Sequence, residues 1–337
     1  MIIEPMIEIT CIIRASPILG NSADAVLVRV VVYGKGMRRS TPKWTRGIVR
    51  LFGLLAAILV VVYFAISGYG AYKVTHPVRH PIHTTPEPYG MAYENVSFTS
   101  VPDGITLNGW FMDSPGTRTL LVLHGSGSTM DNFINMEVGR VLYQHGFDLL
   151  MFDFRAHGNS GREISTIGDL ETRDIAGALA YLRGRGITEV GAIGWSMGAA
   201  ALINAAPEHP EIKAMVADSS FASLTDIVSL QRGAIGVPAL FDPGIELMAS
   251  LMYGVDLTAN QPRQAIARLT DRPVLLVHTS RDPLIPVAQS QELAEADKAN
   301  SNLQLWIVPG MGHVSAFSMN EQVYMDRVIQ FFDASLR

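Results

Sequence analysis

Residues 93–337 alternate short, largely apolar runs with longer segments of mixed polarity. The runs at 119–123, 147–152, 190–193, 212–217, 274–277 and 303–308 have the length and continuity of strands buried on both faces. Between them, residues 133–144, 170–183, 197–206, 287–299 and 321–332 have helical length and spacing. Two further runs, 95–98 and 106–111, are joined through the turn sequence Pro102-Asp103-Gly104 and read as a strand pair. This alternation predicts an α/β fold with a mainly parallel sheet covered by helices on both faces.

One stretch breaks the pattern. Residues 51–72 form a run of 22 without a charge, which as a helix reaches about 33 Å, enough for a hydrocarbon core of about 30 Å. A single transmembrane helix is expected there, since a buried core helix has no use for flanking basic clusters. Lys35, Arg38, Arg39, Lys43, Arg46 and Arg50 precede it, whereas only Lys73 and Arg79 follow closely. The positive-inside bias therefore puts the N-terminus in the cytoplasm and everything after residue 72 outside it. Tyr63, Tyr69 and Tyr72 are expected as interfacial anchors. Ala65-Ile66-Ser67 has the form of a signal-cleavage site, so the alternative is a secreted or periplasmic chain. Met37-Arg38-Arg39 would open a conventional basic n-region, leaving residues 1–36 as an extension, either genuine or not translated natively, and 37–50 as a basic cytoplasmic segment. After the span, Pro77, Pro81, Pro86 and Pro88 make residues 73–92 an extended stalk. His76, His80 and His83 have helical ligand spacing, but the intervening prolines spoil that helix and no metal is expected. A mature chain beginning at Gly68 would be the cleaved form, and intact mass distinguishes it from the anchor.

Charge sharpens this division. Residues 1–50 carry eight basic and three acidic groups, so the overall charge of −5 separates into +5 and, for the remainder, −10. An acidic body gives no support to a nucleic-acid partner. With 48% hydrophobic and 17% charged residues the chain is too apolar to be disordered. The lone cysteine, Cys11, has no partner within the chain for a disulfide and no companions for a thiolate metal cage.

The chemistry concentrates at Gly194-Trp195-Ser196-Met197-Gly198, directly after the run 190–193 and directly before a small-residue helix. A serine there sits in a sharp strand-to-helix turn, and the flanking glycines Gly194 and Gly198 remove side chains that would clash. A serine hydroxyl needs a base, and the base an orienting carboxylate. His313, in the glycine-rich loop Pro309-Gly310-Met311-Gly312-His313, is the expected base. Asp282, in Ser280-Arg281-Asp282-Pro283 after the penultimate strand, is the expected acid. Asp218, which also ends a strand, is the alternative acid.

With these residues the chain resembles the α/β-hydrolases, specifically the small serine hydrolases with monoacylglycerol-lipase-like and membrane-anchored BEM46-like members. The likeness covers about residues 93–337. It includes Leu123-His124-Gly125-Ser126-Gly127, Asp153-Phe154-Arg155-Ala156-His157-Gly158-Asn159-Ser160-Gly161 and Pro273-Val274-Leu275-Leu276-Val277-His278. The resemblance implies an oxyanion hole from the backbone amides of Ser126 and Met197, and a structural role for His124. It implies bracing of nearby loops by Asp153 and Arg155. Ala156 departs from the commoner Asp-x-Arg-Gly-x-Gly pattern. Residues 224–263 fall where this fold inserts a lid and predict a short helical cap, packed over the sheet or lining an acyl pocket. The expected activity is hydrolysis of a small-molecule, lipid-like carboxylic ester through an acyl-serine. A serine peptidase or a thioesterase or acyltransferase uses the same groups, and a membrane-tethered binding protein is the non-enzymatic alternative. No dinucleotide fingerprint or phosphate loop occurs, so no cofactor is implied.

Overall fold

Apolar runs without polar alternation have to be covered on both sides. The computed structural model of the chain, which describes residues 43–161 and 164–336, covers them so. The expectations for residues 1–42 lie outside the described residues. In chain order the elements are α1 (Lys43–Thr75), β1 (Glu94–Thr99), β2 (Thr106–Met112), β3 (Arg118–Leu123), α2 (Phe133–Gln144), β4 (Phe147–Phe152), α3 (Glu171–Gly184), β5 (Val190–Trp195) and α4 (Met197–Ala205). They continue with β6 (Ile212–Asp218), α5 (Leu224–Ile235), α6 (Asp242–Tyr253), α7 (Pro262–Ile266), β7 (Val274–Arg281), α8 (Ala288–Ala296), β8 (Leu303–Met311), α9 (Ala316–Met319) and α10 (Glu321–Ser335).

The eight strands form one sheet in the order β1-β2-β4-β3-β5-β6-β7-β8. The β1/β2 and β2/β4 pairs are antiparallel and all others parallel. Strand periodicity divides the core in two. Leu121, Leu123, Leu150 and Phe152 pack with residues of α3, α4, α7 and α8 on one face. Leu120, Val122, Leu149 and Met151 pack with residues of α2, α9 and α10 on the other. The parallel register Leu123↔Gly194 and Gly194↔Ala217 brings the C-terminal ends of β3, β5 and β6 to one edge, where ligands bind in open α/β sheets.

Two compact units divide between Ile58 and Leu59. In the first, the described residues are the N-terminal part of α1, whose large apolar side chains from Leu51 to Ile58 are exposed. The stretch Gly47–Thr75 is long and apolar enough to cross a membrane. In the second unit the last turns of α1 pack against α6 and the segment before it. Tyr63, expected as an interfacial anchor, stacks on Phe241 with ring centroids 5.1 Å apart. Two glycines permit the approach: a Cβ on Gly70 would fall 2.7 Å from Ile245 Cδ1, and one on Gly244 would collide with Ser67. Ala71, Val74, Ile245 and Ala249 complete this apolar cluster with Phe221, Leu224 and Ile227.

The proline-rich segment expected as a stalk is extended but lies along the body. Arg79 donates to the Ser160 carbonyl at 2.9 Å, and the His83 and Thr84 amides donate to Asp131 Oδ2 at 2.6 and 3.0 Å. Ser165 N–H donates to the carbonyl of Thr75 at the end of α1. The prolines keep the backbone extended, and an extended backbone exposes amides and carbonyls that the neighbouring loops satisfy.

Arg155 and Asp153 brace the loop after β4 separately. Arg155 is buried and pairs with Asp174 at 2.7 Å and Asp103 at 2.9 Å, while Asp153 accepts the Met130 and Asn159 amides. Removing one partner of a buried pair leaves the other charge uncompensated. Asp174→Ala should therefore cost about 3–5 kcal/mol of stability, read from chemical denaturation; a loss below about 1 kcal/mol would show that Asp103 alone suffices to compensate Arg155.

Candidate active site

Strand β5 ends at Trp195 and helix α4 begins at Met197, so the chain turns within one residue. Ser196 accordingly has φ +52° and ψ −115°, a left-handed conformation of order 1–3 kcal/mol in strain for a residue with a side chain. Crowding holds it there. A Cβ on Gly194 would lie 2.7 Å from the Gly198 carbonyl carbon, and one on Gly198 would collide with the carbonyl oxygen of Leu123. The Ser196 amide donates to the Asp218 carbonyl at 2.9 Å, which ties the turn to β6.

Three of the expected site residues meet at this edge. His313 Nε2 lies 2.9 Å from Ser196 Oγ, and its Nδ1 lies 2.7 Å from Asp282 Oδ2. Asp282 Oδ1 accepts the Leu284 and Ile285 amides at 2.8 and 2.9 Å. Burial alone would raise the Asp282 pKa, but His278, His313 and the Ile285 amide hold it well below the usual carboxylate range. An ionised Asp282 accepts Nδ1–H of His313, leaving the Nε2 lone pair for the serine hydroxyl.

Asp218, the alternative acid, is engaged elsewhere. Its Oδ2 accepts Tyr324 Oη–H at 2.9 Å and its Oδ1 accepts Ser219 Oγ–H at 2.8 Å. Burial pushes its pKa up to about 6, against the opposing effect of these two hydroxyls. Ser126 lies in the loop after β3 and lines the same pocket as Ser196 and His313. Met197 is the first residue of α4, where amides have no partner within the helix. Gly125 lies so close that a Cβ on it would be 3.4 Å from Ser196 Cβ.

His124 and His157 hold this loop from below. His124 Nε2 accepts the Phe154 amide at 3.0 Å and Nδ1–H donates to the Gly125 carbonyl at 2.8 Å. His157 Nε2 accepts the Gly127 amide at 3.0 Å and Nδ1–H donates to the Arg155 carbonyl at 2.8 Å. Desolvation lowers both pKa values to about 4, for His157 with a further push from His124, so both rings are neutral near pH 7.

Two groups escaped sequence reasoning. His278 is fully buried, with Nε2–H donating to the Ile285 carbonyl at 2.8 Å and lying 3.4 Å from Asp282 Oδ2. Its position four residues before Asp282 was the available signal. Lys73, Val74 and Pro77, at the end of α1 and just beyond it, line the pocket beside Ser196. No local pattern carries that contact. The pocket holds about 600 Å³ and is lined on its apolar side by Phe221, Leu224, Ile227, Val228, Leu284 and Ile285, a size ordinary for a small-molecule site. Of these, Leu224, Ile227 and Val228 come from α5, within the segment read as a cap.

Residues 118–237 match the family model for the alpha/beta hydrolase fold. The Pyrococcus furiosus esterase Pf2001 superimposes with a TM-score of 0.67 at 28% identity, covering 78% of this chain and all of that one. With the sheet order and the turn at Ser196, these likenesses show the α/β-hydrolase fold and support a hydrolase. Protein bem46 of Schizosaccharomyces pombe is similar to the chain, 25% identical over 61% of this chain and 66% of that protein. The uncharacterized protein YfhR of Salmonella typhimurium is 26% identical, over 88% of this chain and 99% of its own length.

The two buried histidines set an acid limit. Their pKa of about 4 lies below the ordinary 6.5, so between those values the unfolded chain binds protons that the folded one refuses. Stability is therefore undiminished above pH 6.5 and falls as pH drops toward 4, by about 1.4 kcal/mol per pH unit for each ring. In chemical denaturation at pH 7 and pH 5, His124→Gln should lose about 2 kcal/mol less between the two pH values than the unsubstituted protein. Equal losses would mean that His124 is protonated in the fold.

Proposed function

We propose that the protein is a serine hydrolase that cleaves carboxylic esters through an acyl-serine intermediate. The observation that carries this reading is the continuous path Ser196 Oγ, His313 Nε2, His313 Nδ1, Asp282 Oδ2, with steps of 2.9 and 2.7 Å across the ring. Ser196 Oγ attacks the ester carbonyl as His313 Nε2 takes its proton, and Asp282 holds the imidazole and stabilises the imidazolium. The carbonyl oxygen becomes an oxyanion, for which the Ser126 and Met197 amides are the donors, each such donor supporting about 3–4 kcal/mol of transition-state stabilisation. His313 returns the proton to the departing alkoxide, releasing the alcohol. Water, deprotonated by His313, then attacks the acyl-serine, and His313 passes the proton to the departing Ser196 Oγ as the acid is released.

The likeness to an enzyme named as an esterase supports ester over amide cleavage. The apolar lining of the pocket supports an acyl group on that side. The basic residues before the apolar run 51–72 support an orientation with the N-terminus in the cytoplasm and the hydrolase domain on the opposite side of the membrane.

Ser196→Ala should fold normally, fail to react with a fluorophosphonate probe, and lose at least about 10⁴-fold in ester hydrolysis. Full labelling of that variant would remove Ser196 as the nucleophile. A series of p-nitrophenyl esters beside a peptide amide and a thioester separates the esterase reading from the other acyl-transfer reactions.

A further inference from the structure

The apolar run 51–72 is longer than the part of α1 left uncovered. From Tyr63 onward the helix is packed against α6 and the short turn preceding it: Tyr63 on Phe241, Ser67 on Gly244, Gly70 on Ile245. If those covering elements stood in water, the span would have to end before Tyr63. Only residues 51–62 would remain, about 18 Å of helix against a hydrocarbon core of about 30 Å. Making up the difference from the other end would draw Arg50, Arg46 and Lys43 into the hydrocarbon, at a cost that snorkelling only partly relieves.

The surface of α6 and of the turn before it agrees with immersion. Leu240, Leu247, Leu251 and Met252 are exposed, with Leu251 at 71%. Met252 reaches α1 at Gly68, so this apolar edge is continuous with the lipid-facing side of the helix. Glu246 and Ser250 are exposed on the other side of Leu247, as expected of a helix lying in an interface. The pocket meets the same level. Lys73, the first charge after the run, lines it together with Val74 and Pro77, and a charged residue at the end of a span marks the headgroup layer.

We infer that α6 and the turn before it lie in the interfacial layer of the membrane that α1 crosses, and that the pocket takes its substrate from that leaflet. The substrate class is then a membrane-partitioned acyl ester, whose ester group sits between headgroup and chain at the depth of Lys73. This substrate class rests on the ester-hydrolase reading above; the seating of α6 does not.

The test uses the full chain reconstituted in phosphatidylcholine vesicles, with Cys11→Ser and a single new cysteine carrying an environment-sensitive fluorophore. A label on Leu251→Cys should be quenched by lipids bearing a nitroxide high on the acyl chain and protected from aqueous iodide. A label on Lys298→Cys, exposed in the turn after α8, should show the reverse. Iodide quenching at 251, or a label shielded from both quenchers as a second copy of the chain would shield it, would overturn the seating. For the substrate, Leu247→Asp combined with Leu251→Asp should leave hydrolysis of a water-soluble short-chain ester unchanged. The same variant should lower turnover of a long-chain monoacylglycerol presented in the vesicles by roughly tenfold. Equal turnover of the lipid would overturn lateral entry, whereas loss of both activities in the unsubstituted protein would count against the ester-hydrolase reading and leave the quenching result standing.

Discussion

At the end of β5 the backbone has to reverse inside a space already filled by its neighbours. Strand β3 runs alongside in register, so the carbonyls of Leu123 and His124 occupy the position where a side chain on residue 198 would go. With glycine at 194 and 198 the helix can seat directly on the sheet, and Ser196 is left in a left-handed conformation that its neighbours over-determine. The rest of the site follows from register. Because β6, β7 and β8 continue the same parallel sheet, the loops that leave β7 and β8 open on the same edge and carry Asp282 and His313 to the serine.

The site also shows how one residue type is given different chemistry by its partners. His124 and His157 each meet a carbonyl at one nitrogen and a backbone amide at the other, so the ring has a fixed tautomer and no free lone pair. His313 meets a carboxylate at one nitrogen and a hydroxyl at the other, which orients its lone pair at the one group whose proton can usefully move. The carboxylates divide in the same way. Asp282 faces ring N–H groups and backbone amides, which favour the ionised form, whereas Asp218 is buried among hydroxyls too weak to offset its desolvation.

Much of this was legible because it is local or periodic. Strands β3 to β8 lie where largely apolar runs occur, displaced by no more than a few residues at their ends, and β1 and β2 flank the turn sequence at 102–104. The order Ser196, Asp282, His313 follows from strand-end loops, each marked by glycine or proline. What escaped depends on pairs of distant segments. Nothing around Gly70 announces Ile245 as its neighbour, and nothing around Asp131 announces that it receives the amides of residues 83 and 84. Tyr63 reads as an interfacial residue in its own run, and its stacking on Phe241 becomes visible only when α6 is in view. The short helices α7 and α9 carry too little periodicity to stand out from loops.

The segment between α1 and β1 has a kinetic consequence. A free chain of the length of residues 76–85 would have a root-mean-square reach of roughly 16–19 Å and would let the hydrolase domain sample a volume of solution around its anchor. Hydrogen bonds to Ser160 and Asp131 remove that slack. For the membrane-partitioned ester proposed above, a domain on such a strap would search two dimensions, so its rate would be governed by the mole fraction of substrate in the surface and the speed of lateral diffusion, not by concentration in the bulk.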